Sequence, residues 1–111
     1  MELEARQARA ARNQSLFRDV NETIDSTATD ASPMFTEFMC ECADDSCFEH
    51  VSLTSEEYAS VRKMGPVYFI LKPGHEDPHV ERVVGGEADR YEIVEKQEVA
   101  AQVAVELDPR S

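Results

Sequence analysis

The sequence predicts an α+β domain: a small mixed or antiparallel sheet with a pinched β-hairpin, a long N-terminal helix and a C-terminal helix. Three observations carry this. Both ends of the chain show apolar residues spaced by four, and the N-terminal end is rich in Ala, Arg, Gln and Glu. The middle holds short aromatic and β-branched runs bounded by Gly, Pro, Asp and Ser. Three cysteines cluster across the polar turn between two of those runs. At 111 residues the chain is the size of one domain with one modest core.

Residues 1–24 form the first unit, an amphipathic helix. Leu16, Val20 and Ile24 recur at i, i+4 and i+8 with Phe17 beside them, a stripe that should dock on a core. Arg6, Arg9 and Arg12 share one neighbourhood at spacing three and read as a solvated face. Residues 25–33, Asp-Ser-Thr-Ala-Thr-Asp-Ala-Ser-Pro, read as a polar linker. The main domain follows over residues 34–107, and 108–111 form a tail.

Within that domain, Met34–Cys42 reads as a strand, Ala43–Ser46 as a turn and Phe48–Leu53 as the returning strand. Thr54-Ser55-Glu56-Glu57 has the form of a capping box, with Leu53 and Tyr58 placed as a hydrophobic staple. A helix from Ser55 to about Lys63 follows, with Arg62 and Lys63 where the dipole favours cations, and Gly65-Pro66 stops it. Val67–Leu71 is nearly all apolar and is expected as the central strand, buried on both faces. Asp77-Pro78 suggests a short helix reaching Val84, with Gly85-Gly86 as the turn after it. Arg90–Lys96 is a further strand. Gln97–Leu107, with Val99, Val103 and Leu107 in register, is the terminal helix.

Cys40-Glu41-Cys42 and Cys47 form a compact Cys-x-Cys-x4-Cys ligand set. Two cysteines two apart on an extended segment point the same way, and a four-residue turn lets a third face them. Zinc takes four soft or borderline donors in a tetrahedron, so one more ligand is required. His75, in the turn Lys72-Pro73-Gly74-His75, is the first choice; His50 is the runner-up and His79 the third. Glu41, Asp44 and Asp45 are weaker donors, better suited to turn formation and solvation. A Cys3His site would staple the hairpin to the strand that precedes His75. Free thiols, or one disulfide with a spare cysteine, are the other readings of the cluster.

The net charge is −12, and it is uneven: the first 20 residues hold four basic and three acidic groups, the remainder 7 and 20. Such a body repels nucleic-acid phosphates and anionic lipid, which leaves another protein as the expected partner. Met-Glu-Leu-Glu-Ala-Arg lacks the basic and apolar regions of a secretory signal, and the longest apolar run, Val67–Leu71, is too short for a bilayer. An odd cysteine count suits a reduced, cytoplasmic compartment.

Ala11-Arg12-Asn13, Phe17-Arg18-x-Val20-Asn21-Glu22, Cys40-Glu41-Cys42-x4-Cys47, Leu53-Thr54-x-x-Glu57-Tyr58-x-x-Val61-Arg62, Phe69, Pro73-Gly74-His75 and Val94-Glu95-Lys96 give the chain a second signature. On these it resembles a group of small uncharacterised bacterial proteins, over most of its length. The resemblance implies that the cysteines and His75 belong together; it brings no activity.

No Gly-x-Ser-x-Gly, phosphate-binding loop or His-Glu-x-x-His occurs. His75-Glu76-Asp77-Pro78-His79 reads as an exposed loop rather than a second metal site. The sequence therefore points to a small acidic zinc-binding protein, not an enzyme, acting as an adaptor or regulator through protein–protein contact, with structural zinc. A thiol-based redox sensor is the alternative. A zinc-dependent hydrolase is a further one, with Glu41 or Glu76 as its only candidate bases.

Overall fold

The fold was obtained as a computed structural model, which describes residues 2–27, 35–42, 47–87 and 89–109, with backbone alone for residues 2–11, 13, 27 and 99. It is α+β. Among the described residues three helices, α1 (Glu2–Thr27), α2 (Ser55–Met64) and α3 (Glu98–Glu106), accompany five strands: β1 (Thr36–Met39), β2 (His50–Leu53), β3 (Tyr68–Leu71), β4 (Glu81–Glu87) and β5 (Tyr91–Lys96). The strands form two antiparallel sheets rather than one, a β1–β2 hairpin and a β3–β5–β4 sheet. Among the described residues no helix is long and apolar enough to cross a membrane.

The hairpin pairs Phe38 with Val51 and Thr36 with Leu53. Its inner face carries Phe38, Val51 and Leu53 into a core shared with Tyr58, Val61, Ile70 and Tyr91. Phe38 and Tyr58 stack at a centroid distance of 4.5 Å. The expected turn, Ala43–Ser46, lies outside the described residues.

The α2 boundary forms as the capping box requires. Thr54 Oγ1 accepts from the Glu57 N–H at 3.1 Å, and Glu57 Oε1 accepts from the Thr54 N–H at 2.9 Å. Leu53 and Tyr58 are both buried in one cluster. Glu57 also receives Arg90 through both oxygens, at 2.9 and 2.6 Å. Arg62 does not stay at the helix end in solvent: it turns inward to Asp108 and Glu22. Asp108 of the expected tail is thereby tied to the body.

Four expectations are corrected. First, β3 is not the central strand; β5 is. Phe69, Ile70 and Leu71 are nevertheless buried, because another part of the chain covers the free edge of β3: Glu41 N–H donates to the Ile70 carbonyl at 2.8 Å. Second, residues 77–84 are not a helix. Asp77 does start one helical turn, its carbonyl accepting from Val80 and Glu81, but β4 then pairs along β5 instead. Val83 and Val84 favour that extended pairing. Third, Gly85-Gly86 is not the reversal but lies inside β4, at a register shift between Val83 and Gly85; the chain turns between Glu87 and Arg90. Gly86 has φ +138°, and a Cβ there would stand 2.5 Å from the Tyr91 carbonyl oxygen.

The fourth correction concerns α1. The helix runs on through Asp25–Thr27, the first residues of the expected linker, while residues 28–33 lie outside the description. Its apolar stripe does not dock: Leu16 is 64% and Val20 46% exposed, and only Ile24 reaches the core edge. The buried face is instead Gln14, Ser15, Arg18 and Asn21. The cause is what the body presents. Glu41, Glu81 and backbone carbonyls line the groove under α1, so polar residues at helical spacing are the ones that fit. The stripe expected on α3 is likewise displaced, with Ala100 and Ala104 buried while Leu107 is exposed.

Candidate metal centre

The cluster is built from two loops. Cys40 follows directly on β1, and its N–H donates to the Glu49 carbonyl at 2.9 Å, continuing the hairpin ladder by one step. Cys42 lies on the segment beyond, and Cys47 precedes β2. His75 arrives from the end of β3. Lys72-Pro73-Gly74-His75 is a turn closed by the His75 N–H on the Lys72 carbonyl at 3.0 Å. Gly74 has φ +91°, and Pro73 precedes it, as a type II turn needs.

Cys40, Cys42, Cys47 and His75 each offer a donor atom within 4.8 Å of every other. Three of the four side chains come from the hairpin end and one from the turn after β3. His75 Nδ1 lies 3.6 Å from Cys40 Sγ and 3.6 Å from Cys47 Sγ. Zinc–sulfur and zinc–nitrogen bonds at tetrahedral angles place sulfur and nitrogen about 3.6 Å apart. The histidine therefore already stands at the edge length of such a tetrahedron, with Nδ1 as the donor. The runner-up, His50, is exposed at the start of β2 and is not part of the cluster, and His79 is exposed too.

The sulfurs sit in apolar and hydrogen-bonding surroundings. Phe69, Leu71, Val94 and Ala104 pack around them. The Lys72 N–H donates to Cys40 Sγ at 3.1 Å, and the Glu49 backbone opposes the upward pull of burial on the Cys47 thiol. Such donors favour thiolate and orient it. The neighbouring Cys42 and burial nevertheless push the Cys40 thiol well above its ordinary range, and burial leads the same shift at Cys47. Three buried sulfurs this close cannot all be anionic without a cation among them. No disulfide joins the three cysteines.

Glu41, taken from the sequence as a solvated turn residue, is fully buried. Its carboxylate accepts from Arg18 Nε at 2.8 Å, Arg18 Nη2 at 3.1 Å, Asn21 Nδ2 at 2.9 Å and the Ile70 N–H at 2.9 Å. A signal for this was present. In an extended Cys-x-Cys the spacer residue faces away from the two ligands, so it must enter whatever lies on the other side. Arg18 also donates to the Tyr68 carbonyl and lies 3.9 Å over the Phe69 ring. A second buried pair, Lys96–Glu81 at 2.6 Å, adjoins the same ring, with Gln14 Nε2 on Glu81 at 2.8 Å.

Comparison with protein-family models, curated proteins and solved structures finds no match for this chain. What the centre can do follows from its donors. A Cys3His set could hold a metal ion, and its thiolate and imidazole donors are consistent with zinc.

Proposed function

We propose that the chain is a structural zinc protein that acts through contact with another protein, as an adaptor or regulator. The observation that carries the metal reading is the convergence of Cys40, Cys42, Cys47 and His75 within 4.8 Å from separate loops. Four protein donors fill a tetrahedron, leaving no position for the water that a hydrolytic zinc would need. Buried sulfurs are also the reverse of the exposed thiolate of a redox sensor.

The partner reading draws on the outer side of α1. Leu16 and Val20 stand in solvent, and a hollow of about 280 Å³ lined by Arg12, Ser15, Leu16, Asp19 and Leu107 opens beside them. An apolar surface of this kind on an otherwise acidic body suits a protein contact.

Metal analysis of the purified chain, with affinities from chelator competition, tests the metal reading. One zinc per chain is expected. His75→Ala should weaken zinc on the order of 100-fold, while His50→Ala leaves it unchanged. A metal-free protein, or unchanged affinity in His75→Ala, overturns it. For the partner reading, Leu16→Glu with Val20→Glu should abolish a stable complex recovered with the wild-type chain; a complex that survives both changes places the contact elsewhere.

A further inference from the structure

Three residues of α1 reach toward the cysteine loops, and each takes hold of a chain neighbour of a cysteine. Asn21 bonds both backbone groups of Met39: its Nδ2 donates to the carbonyl at 2.9 Å and its Oδ1 accepts from the N–H at 2.7 Å. Arg18 holds Glu41 through two bonds. Phe17 meets the ring of Phe48 edge-on, with centroids 6.4 Å apart. Met39 precedes Cys40, Glu41 separates Cys40 from Cys42, and Phe48 follows Cys47. All three cysteines are thus flanked by residues that α1 grips, yet among the described residues α1 itself adds no ligand to the cluster.

The converse dependence is as direct. Apart from Ile24 at the core edge and the packing of α1 along α3, the buried face of α1 is polar. Over the cysteine loops the helix stays down because carboxylate and carbonyl acceptors stand where its donors arrive. An Arg18 left buried without Glu41 would be an uncompensated charge, which the interior does not tolerate. A docked helix over a disordered cysteine loop is therefore not a stable intermediate.

Resting on the zinc reading above, we propose that metal occupancy and the docking of α1 are one coupled equilibrium. The loaded centre fixes Met39, Glu41 and Phe48 in the positions α1 recognises; loss of the metal loosens α1 over the cysteine loops, while Gln14 on Glu81 and Glu22 beside Arg62 still tie it to the body. The position of α1, which also carries the exposed Leu16 and Val20, then reports whether the centre is filled. By linkage the effect is reciprocal: whatever factor the metal contributes to docking, docking contributes to metal affinity.

The experiment pairs two readouts on the full chain. Amide hydrogen exchange is followed for residues 14–24 and for the β4–β5 ladder, zinc-loaded and after chelation. Zinc affinity is measured by competition in Asn21→Ala and Arg18→Lys, with Thr23→Ala on the exposed side of the helix as control. Chelation should accelerate exchange in α1 while β4–β5 keeps its protection. Asn21→Ala should weaken zinc by roughly tenfold, within the 5–150-fold usual for coupled sites, and Thr23→Ala should not. Should Arg18→Lys fold poorly, Asn21→Ala, which removes no charge, still decides. Zinc bound with unchanged α1 exchange on chelation, simultaneous loss of protection in α1 and β4–β5, or unchanged affinity in Asn21→Ala each overturns the coupling and leaves the zinc reading standing. A chain that binds no zinc overturns both.

Discussion

Arg18 and Glu41 close the joint between α1 and the cysteine loop, with Nε to Oε2 at 2.8 Å, Nη2 to Oε1 at 3.1 Å and both side chains out of solvent. Removing one partner leaves the other charge buried. Glu41→Gln keeps the shape and one acceptor but not the charge, so it should destabilise the fold by about 3–5 kcal/mol. Urea unfolding of the zinc-loaded protein measures this, and a loss under about 1 kcal/mol would show that Arg18 finds another partner.

The Lys96–Glu81 pair invites the complementary test. Both side chains are 0% exposed. Burial pulls the Lys96 ammonium pKa below its ordinary value, and Glu81 opposes that pull. Lys96→Met alone orphans Glu81 and should cost about 3–5 kcal/mol. Lys96→Met together with Glu81→Gln should recover most of it, since the cost of desolvating two charges disappears with them. A double-mutant cycle reads the difference; strictly additive losses would refute it.

Glu57 sets a pH dependence. Its bond with Arg90, the largest of several causes, holds its carboxyl down at about 2, below the ordinary 4.5. A depressed acid contributes stability that is fully present above the unfolded pKa and is lost as pH falls through the folded one. The contribution should therefore fade between about pH 4.5 and 2. Glu57 is 26% and Arg90 31% exposed, so screening limits it to roughly 1–2 kcal/mol. Glu57→Gln preserves the capping geometry, and its deficit relative to wild type should be full at pH 7 and shrink toward pH 2. A deficit independent of pH would mean that the Arg90 pair is not its source.

Two glycines should separate clash from backbone strain. At Gly86 a Cβ meets backbone at 2.5 and 2.6 Å and φ is +138°. Gly86→Ala should then cost roughly 2–4 kcal/mol, from overpacking and an unfavourable dihedral together. At Gly74 φ is +91° but no atom lies within 4 Å of the position, so Gly74→Ala should cost only about 1 kcal/mol of stability. Because that turn delivers His75, the same change should also weaken zinc. Thermal unfolding and metal competition on the two variants distinguish the cases; equal costs at both sites would contradict the assignment.

Much of the architecture could be read in the residues because the signals were local. Thr54 and Glu57 lie three apart and satisfy each other, so the start of α2 needs no tertiary information. The cysteine spacing and the Pro73-Gly74 turn likewise carry their geometry with them, and the structure places Cys40, Cys42, Cys47 and His75 together. What failed to show was decided at a distance. Gln14, Arg18 and Asn21 have the same helical spacing as an apolar face, and only their partners at residues 41 and 81 make theirs the buried one. Asp77-Pro78 opened a helical turn as its chemistry dictates, and pairing with β5 overrode its continuation. The expected linker and hairpin turn lie largely outside the described residues.

The polar underside of α1 also dictates an order of assembly. The partners of Arg18 and Gln14 lie 23 and 67 positions further along the chain, and without them that face has no reason to leave water. Hydrophobic collapse can gather Phe38, Val51, Tyr58 and Ile70 early, but it gains little by recruiting the helix. Apart from Ile24, which packs on that cluster, α1 is therefore expected to seat late, with the polar contacts of Arg18 and Asn21 formed after the folding transition state. Substitutions at Arg18 or Asn21 should accordingly speed unfolding and leave the refolding rate nearly untouched, an asymmetry that stopped-flow kinetics would reveal.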